Sequence, residues 1–80
     1  MEREEIVNKV YFILIDKLGV DSEEVTETAD LRNDLGMDSL DAIELIMDFE
    51  KEYSIFIPED EVEKIKTVGD IINYLENKVI

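Results

Sequence analysis

The sequence predicts an all-α fold: a four-helix bundle with a long first loop and a short third helix. Three observations lead there. Apolar residues recur at spacings of three and four in the N-terminal, central and C-terminal stretches, which is the period of an amphipathic helix. The 80 residues include no Cys and no His. A core this small therefore has neither a disulfide framework nor the usual zinc ligands to staple it, and must come from helix packing. One connection, residues 19–38, is far longer than the others, and connections of that length are often functional. At this length one domain spanning 1–80 is expected.

Residues 3–18 read as the first helix. Val7, Val10, Leu14 and Leu18 form its apolar stripe, with Ile6 and Ile13 beside it and Gly19 as the stop. Phe12 points away from that stripe. A lone exposed apolar residue is common and needs no special explanation; the alternative is a contact surface. In the connection, Asp21-Ser22-Glu23-Glu24-Val25 can make a short helical turn, and Val20, Val25, Leu31 and Leu35 are the expected anchors.

The second helix spans about Ser39 to Tyr53 and carries two apolar stripes. Ala42, Leu45, Ile46, Phe49 and Tyr53 share the face expected to enter the core. Leu40, Ile43 and Met47 form a second stripe bordered by Asp41, Glu44, Asp48 and Glu50. An exposed apolar strip with an acidic rim suggests a partner site, because a chain this size has little else to cover it. Pro58 pre-sets the backbone for a short third helix from Glu59 through Val62 to Ile65. Thr67 is a good N-cap with Asp70 three places on. The last helix follows, with Val68, Ile71, Ile72 and Leu75 on its core face; Gly69 weakens its first turn slightly.

The net charge of −14 argues against a nucleic-acid binder, which needs a basic face. It suits basic partner surfaces; the plainer alternative is that acidity keeps a small protein soluble. No apolar run is long enough to span a membrane, and the acidic start Met1-Glu2-Arg3-Glu4-Glu5 lacks the layout of a signal peptide. The cytoplasm is the expected compartment.

The central stretch is Gly36-Met37-Asp38-Ser39-Leu40-Asp41. Asp38 is placed to cap the second helix by accepting free N–H groups of its first turn. Asp41 can reach back as the other half of a capping-box pair, and Gly36 permits a positive φ just before them. Ser39 falls at the first helical position, is not needed for capping, and so keeps its hydroxyl free to face solvent.

With Leu35 before it, Glu44-Leu45 after it and Ile57-Pro58 further on, this stretch resembles the type II acyl carrier proteins, over nearly the whole chain from the first helix to Thr67-Val68. The resemblance implies a 4′-phosphopantetheine arm on Ser39 beside the motif residue Asp38. It implies acyl intermediates held as thioesters, in fatty acid biosynthesis, by a carrier that is not itself an enzyme. It implies an acyl pocket lined by Leu45, Phe49, Ile57, Val62, Ile65 and Ile71. Phe49 and Val62 are larger than the Leu and Ala common in the family, which points to a smaller or stiffer pocket. It also implies docking of a phosphopantetheinyl transferase and of basic acyl-handling enzymes through Leu40, Asp41, Ile43, Glu44, Met47 and Asp48, by a monomer. Lys51, where the family often has an acid, and Phe56, usually a polar residue, are departures that bear on partner choice.

The residues support this from the chemical side. A nucleophilic serine needs a base, usually His, and the chain has none; an exposed carboxylate is too weak a base for serine near neutral pH. The remaining role for Ser39 is acceptor of a modification. Alternatives remain open. One is a carrier for polyketide, aminoacyl or other specialised acyl transfer, although peptidyl carriers commonly have His before the serine, where this chain has Asp38. Another is an acidic interaction domain without modification. A calcium-binding loop over Asp30 to Asp41 is remote: Arg32 stands third, Leu35 stands where the loop needs Gly, and Asp41 where it needs Glu.

Overall fold

The computed structural model describes residues 2–78. The chain runs through α1 (Arg3–Leu18), a 3-10 turn at Ser22–Glu24, α2 (Ser39–Tyr53), α3 (Glu59–Val62) and α4 (Val68–Lys78). Helix α1 packs against both α2 and α4. The four helices and the long first connection are those the periodicity predicts.

Each terminus has a local cause. Gly19 ends α1 at φ 67°, its N–H donating to the Ile15 carbonyl; a left-handed C-cap of this kind favours glycine. Helix α4 starts in a reciprocal box. The Asp70 N–H donates to Thr67 Oγ1 at 3.2 Å, while Asp70 Oδ2 accepts from the Thr67 N–H at 3.0 Å and the Lys66 N–H at 2.9 Å. Partial desolvation pushes the Asp70 carboxyl upward, but hydrogen bonds from the Lys66 and Thr67 backbone and the Thr67 hydroxyl outweigh it and hold it below its ordinary 3.8. A carboxyl lowered on folding adds stability above its unfolded pKa and loses it as pH falls through the folded one. Asp70→Asn is therefore expected to lower the melting temperature at pH 7. The gap to wild type should close as pH falls below 3.8, measured by thermal unfolding across acid pH.

Among the described residues, every fully buried one is apolar, and the only buried side-chain polar atoms without a partner are the hydroxyls of Tyr53 and Tyr74, which pack at the edge of the core. On α1 the buried line is Ile6, Val10 and Leu14. Val7, Ile13 and Leu18 lie partly buried at its margins, so Val10 and Leu14 of the predicted stripe are buried as expected while Ile6, placed beside it, joins them in place of Val7 and Leu18. From α2 come Leu45 and Phe49, and from α4 come Val68, Ile71, Ile72 and Leu75. Val25, Ala29, Leu31 and Leu35 anchor the long connection, with Val20 only partly buried. Helix α3 stops at Val62, short of the Ile65 that the sequence predicts. The Lys64 and Ile65 N–H groups bond to the carbonyls of Glu61 and Val62, three residues back, and this tightening ends the α-helical repeat.

The connection is tied to the start of α4 by backbone. Asp30 and Thr67 form an isolated antiparallel bridge, and the Leu31, Val68 and Gly69 N–H groups donate to the Lys66, Ala29 and Glu27 carbonyls at 3.0, 3.1 and 2.8 Å. Gly69 is therefore more than a weak helix former. A Cβ there would lie 2.9 Å from the Glu27 carbonyl oxygen, a backbone atom that cannot turn aside. Gly69→Ala gains up to about 1 kcal/mol of helix propensity but incurs an overpacking cost of about 1–3 kcal/mol. The expected outcome is a melting temperature lower by a few degrees; an increase would show that the connection yields.

Candidate functional site

Asp38 and Asp41 form a full capping box at the head of α2. The Asp41 N–H donates to Asp38 Oδ1 at 2.8 Å, and the Asp38 N–H donates to Asp41 Oδ2 at 3.3 Å. Gly36 precedes them at φ 71°, a left-handed turn that any side chain would strain. The result is a rigid corner with exposed Ser39 on its first helical residue. Because the two aspartates satisfy the local backbone donors, the Ser39 hydroxyl takes no part in capping.

Upstream, the acidic loop is folded onto its own backbone. Asp30 Oδ1 accepts from the Arg32 and Asn33 N–H groups, and Asp34 Oδ2 accepts from the Asp30 N–H at 2.7 Å. Among the described residues, no group of three or more His, Cys, Asp or Glu is placed to hold a metal ion.

Beside the corner opens a cleft of about 660 Å³, within the range of small-ligand pockets. Leu45, Phe49, Val62, Ile65 and Ile71, all named from the sequence as pocket residues, line it together. Ile57 does not: it is buried in the core and lies outside the lining. Met37, Ala42 and Ile46 are lining residues that sequence reasoning missed. Ala42 and Ile46 were legible as core-face positions of α2, but nothing local tells a core face from a cavity wall. Arg32, Asn33, Glu63 and Lys66 add polar groups to the lining, brought there by the connection and by the turn after α3.

On the opposite side of α2 lie Leu40, Ile43 and Met47, 63%, 60% and 57% exposed. Their acidic neighbours are less free than the sequence suggests. Asp41 is held in the capping box. Glu44 and Asp48 both meet the Lys17 ammonium of α1, at 3.4 Å each. Glu50, placed by the sequence on the rim of this stripe, instead turns Oε2 to the Ile57 N–H at 2.8 Å and braces the connection into α3. Lys51 is exposed and makes no ion pair among the described residues, while Phe12 and Phe56 are 66% and 77% exposed. No described helix is long and apolar enough to cross a membrane.

Comparison with known proteins bears on what this corner holds. Residues 8–75 match the family model described as the phosphopantetheine attachment site. The chain is similar to the acyl carrier protein of Thermotoga maritima, 53% identical over 96% of this chain and 95% of that one. It is also similar to those of Porphyromonas gingivalis, 51% identical over 94% and 96%, and Amoebophilus asiaticus, 55% identical over 94% of each. With identity of this order through nearly all of both chains and a family model matched over most of this one, the chain belongs to the acyl carrier proteins, carriers of acyl groups rather than catalysts, and bears their phosphopantetheine attachment site.

Proposed function

We propose that Ser39 is the attached residue, that the cleft of Leu45, Phe49, Val62, Ile65 and Ile71 receives the acyl chain, and that the chain serves fatty acid biosynthesis as one monomeric carrier domain in the cytoplasm. The observation that carries the reading is the Ser39 hydroxyl: exposed at the head of α2 and left unused because Asp38 and Asp41 do the capping. The surroundings suit a covalent phosphodiester better than a bound phosphate. The helix terminus favours an anion by only about 0.3–1 kcal/mol, and the two aspartates oppose it, so affinity alone would not retain the group. When attached, the arm supplies a terminal thiol that holds acyl groups as thioesters. Asp38 and Asp41 keep its anchor point on a fixed corner, and Met37, two residues from the anchor, belongs to the cleft wall.

Incubation with a phosphopantetheinyl transferase and coenzyme A is expected to add one phosphopantetheinyl group, located by peptide mass spectrometry on the segment containing Ser39. A gain on any other segment overturns the assignment.

For partners, the reading is a docking face on α2 made of Leu40, Asp41, Ile43, Glu44, Met47 and Asp48. It is supported by an apolar strip left open among carboxylates and takes the transferase and basic acyl-handling enzymes as its occupants. Glu44→Lys is expected to weaken transferase binding about tenfold at low salt and less at high salt, because exposed charges are screened within about 8–10 Å at ordinary ionic strength. Equal affinity at low salt would remove α2 from the interface.

A further inference from the structure

Two of the docking carboxylates already have a cation. Glu44 and Asp48 stand one turn apart on α2, and between them sits the ammonium of Lys17 from the last turn of α1, 3.4 Å from Glu44 Oε1 and 3.4 Å from Asp48 Oδ2. The Lys17 side chain is 28% exposed, while the carboxylates are 45% and 39% exposed. The lysine is thus covered more than the acids it serves. Its position is that of a basic side chain presented to the α2 face, but supplied by the same chain. Resting on the docking face proposed above, we propose that Lys17 is a built-in competitor: it occupies Glu44 and Asp48 in the free protein and must be displaced, or share them, when a basic partner docks.

The physics gives the direction. Desolvation pushes the Lys17 ammonium down, but Asp48 and Glu44 outweigh it and hold the pKa above the ordinary lysine value, so Lys17 is charged at every physiological pH. A fixed positive charge between two docking acids lowers their pull on an approaching cation, which acts chiefly on the association rate and its salt dependence. It also leaves any partner lysine or arginine to compete for oxygens already engaged. The remaining rim acid, Asp41, is committed to the capping box and cannot swing out without loosening the Ser39 corner. Lys17 therefore sets how much docking charge is available, and with it which partners bind: those relying on apolar contact with Leu40, Ile43 and Met47 are little affected, while those relying on charge are discriminated against.

The test is binding of a phosphopantetheinyl transferase to the Ser39→Ala form, which blocks turnover, with Lys17→Gln, Lys17→Arg, Lys78→Gln or Glu44→Lys added. Lys78→Gln, in the last turn of α4, makes the same change in net charge away from α2. Lys17→Gln is expected to bind about threefold to tenfold tighter at low salt, the range that exposed ion pairs allow. The gain should appear in the association rate and shrink at high salt. Lys17→Arg, which keeps the cation, should stay near the parent, and Lys78→Gln should move by less than about twofold. If Lys17→Gln only equals Lys78→Gln, or binds more weakly than the parent, the competitor role is overturned while a weakened Glu44→Lys still upholds the docking face. If Glu44→Lys binds like the parent, the docking face falls and the Lys17 proposal falls with it. Matching circular dichroism and melting curves for the variants separate all of these from unfolding.

Discussion

Ser39→Ala is expected to abolish phosphopantetheinylation completely while leaving the protein folded, with a stability change within about 0.5 kcal/mol. Both halves follow from the same corner. In the proposed assignment the hydroxyl supplies the oxygen of the phosphodiester, and an alanine side chain has no group to replace it. Yet the fold does not use that oxygen: capping rests on Asp38 and Asp41, the residue is exposed, and alanine is the better helix former. The check is paired. Mass spectrometry after incubation with transferase and coenzyme A reads the modification, and urea unfolding reads the stability. Modification of the alanine variant would move the attachment elsewhere. A large loss of stability would mean that the serine is structural, and the failure to modify it would then carry no meaning.

Phe49→Ala is expected to unfold much of the population at room temperature, whereas Met47→Ala, two residues earlier on α2, leaves stability within about 0.5 kcal/mol. Phe49 is 1% exposed and Met47 57%. Truncating a buried phenylalanine costs about 3–5 kcal/mol through lost transfer energy and the cavity left behind. A core in a chain this short rarely supplies more than about 3–5 kcal/mol. The chain has no Cys for a staple, so the loss has no covalent reserve behind it. Like charges add to the margin's thinness, since net charge far from zero destabilises the compact state. Denaturant unfolding of both variants reads the contrast. A midpoint for Phe49→Ala close to wild type would show that the cleft wall collapses onto the vacancy and that this side of α2 is not structural core.

The contrast between those two residues was legible before the structure, because it is a matter of phase along one helix. At about 100° per residue, positions 45 and 49 fall on one face and 40, 43 and 47 on another. Caps were legible for a similar reason: Asp38 with Asp41 and Thr67 with Asp70 act over one turn. The end of α3 was misread because its last turn tightens into three-residue hydrogen bonds, a small energetic choice that side-chain pattern does not encode. Ile57 lies in the core and outside the cleft lining, a distinction invisible in sequence because burial and cavity lining are both written as an apolar residue.

Local order was therefore determined by the sequence itself: the helices, their caps, the left-handed glycines and the serine left free at the head of α2. These follow from hydrogen bonds and sterics that act within about one helical turn. Tertiary structure alone decided what meets across the chain. It brought the Glu27 carbonyl against Gly69, opened the cleft between α2, the connection and the turn after α3, and set Lys17 on acids 27 and more positions away. No residue pattern announces such a pairing. A charged side chain reads as solvated surface wherever it stands, and only the packing of α1 against α2 determines which opposite charge lies within reach.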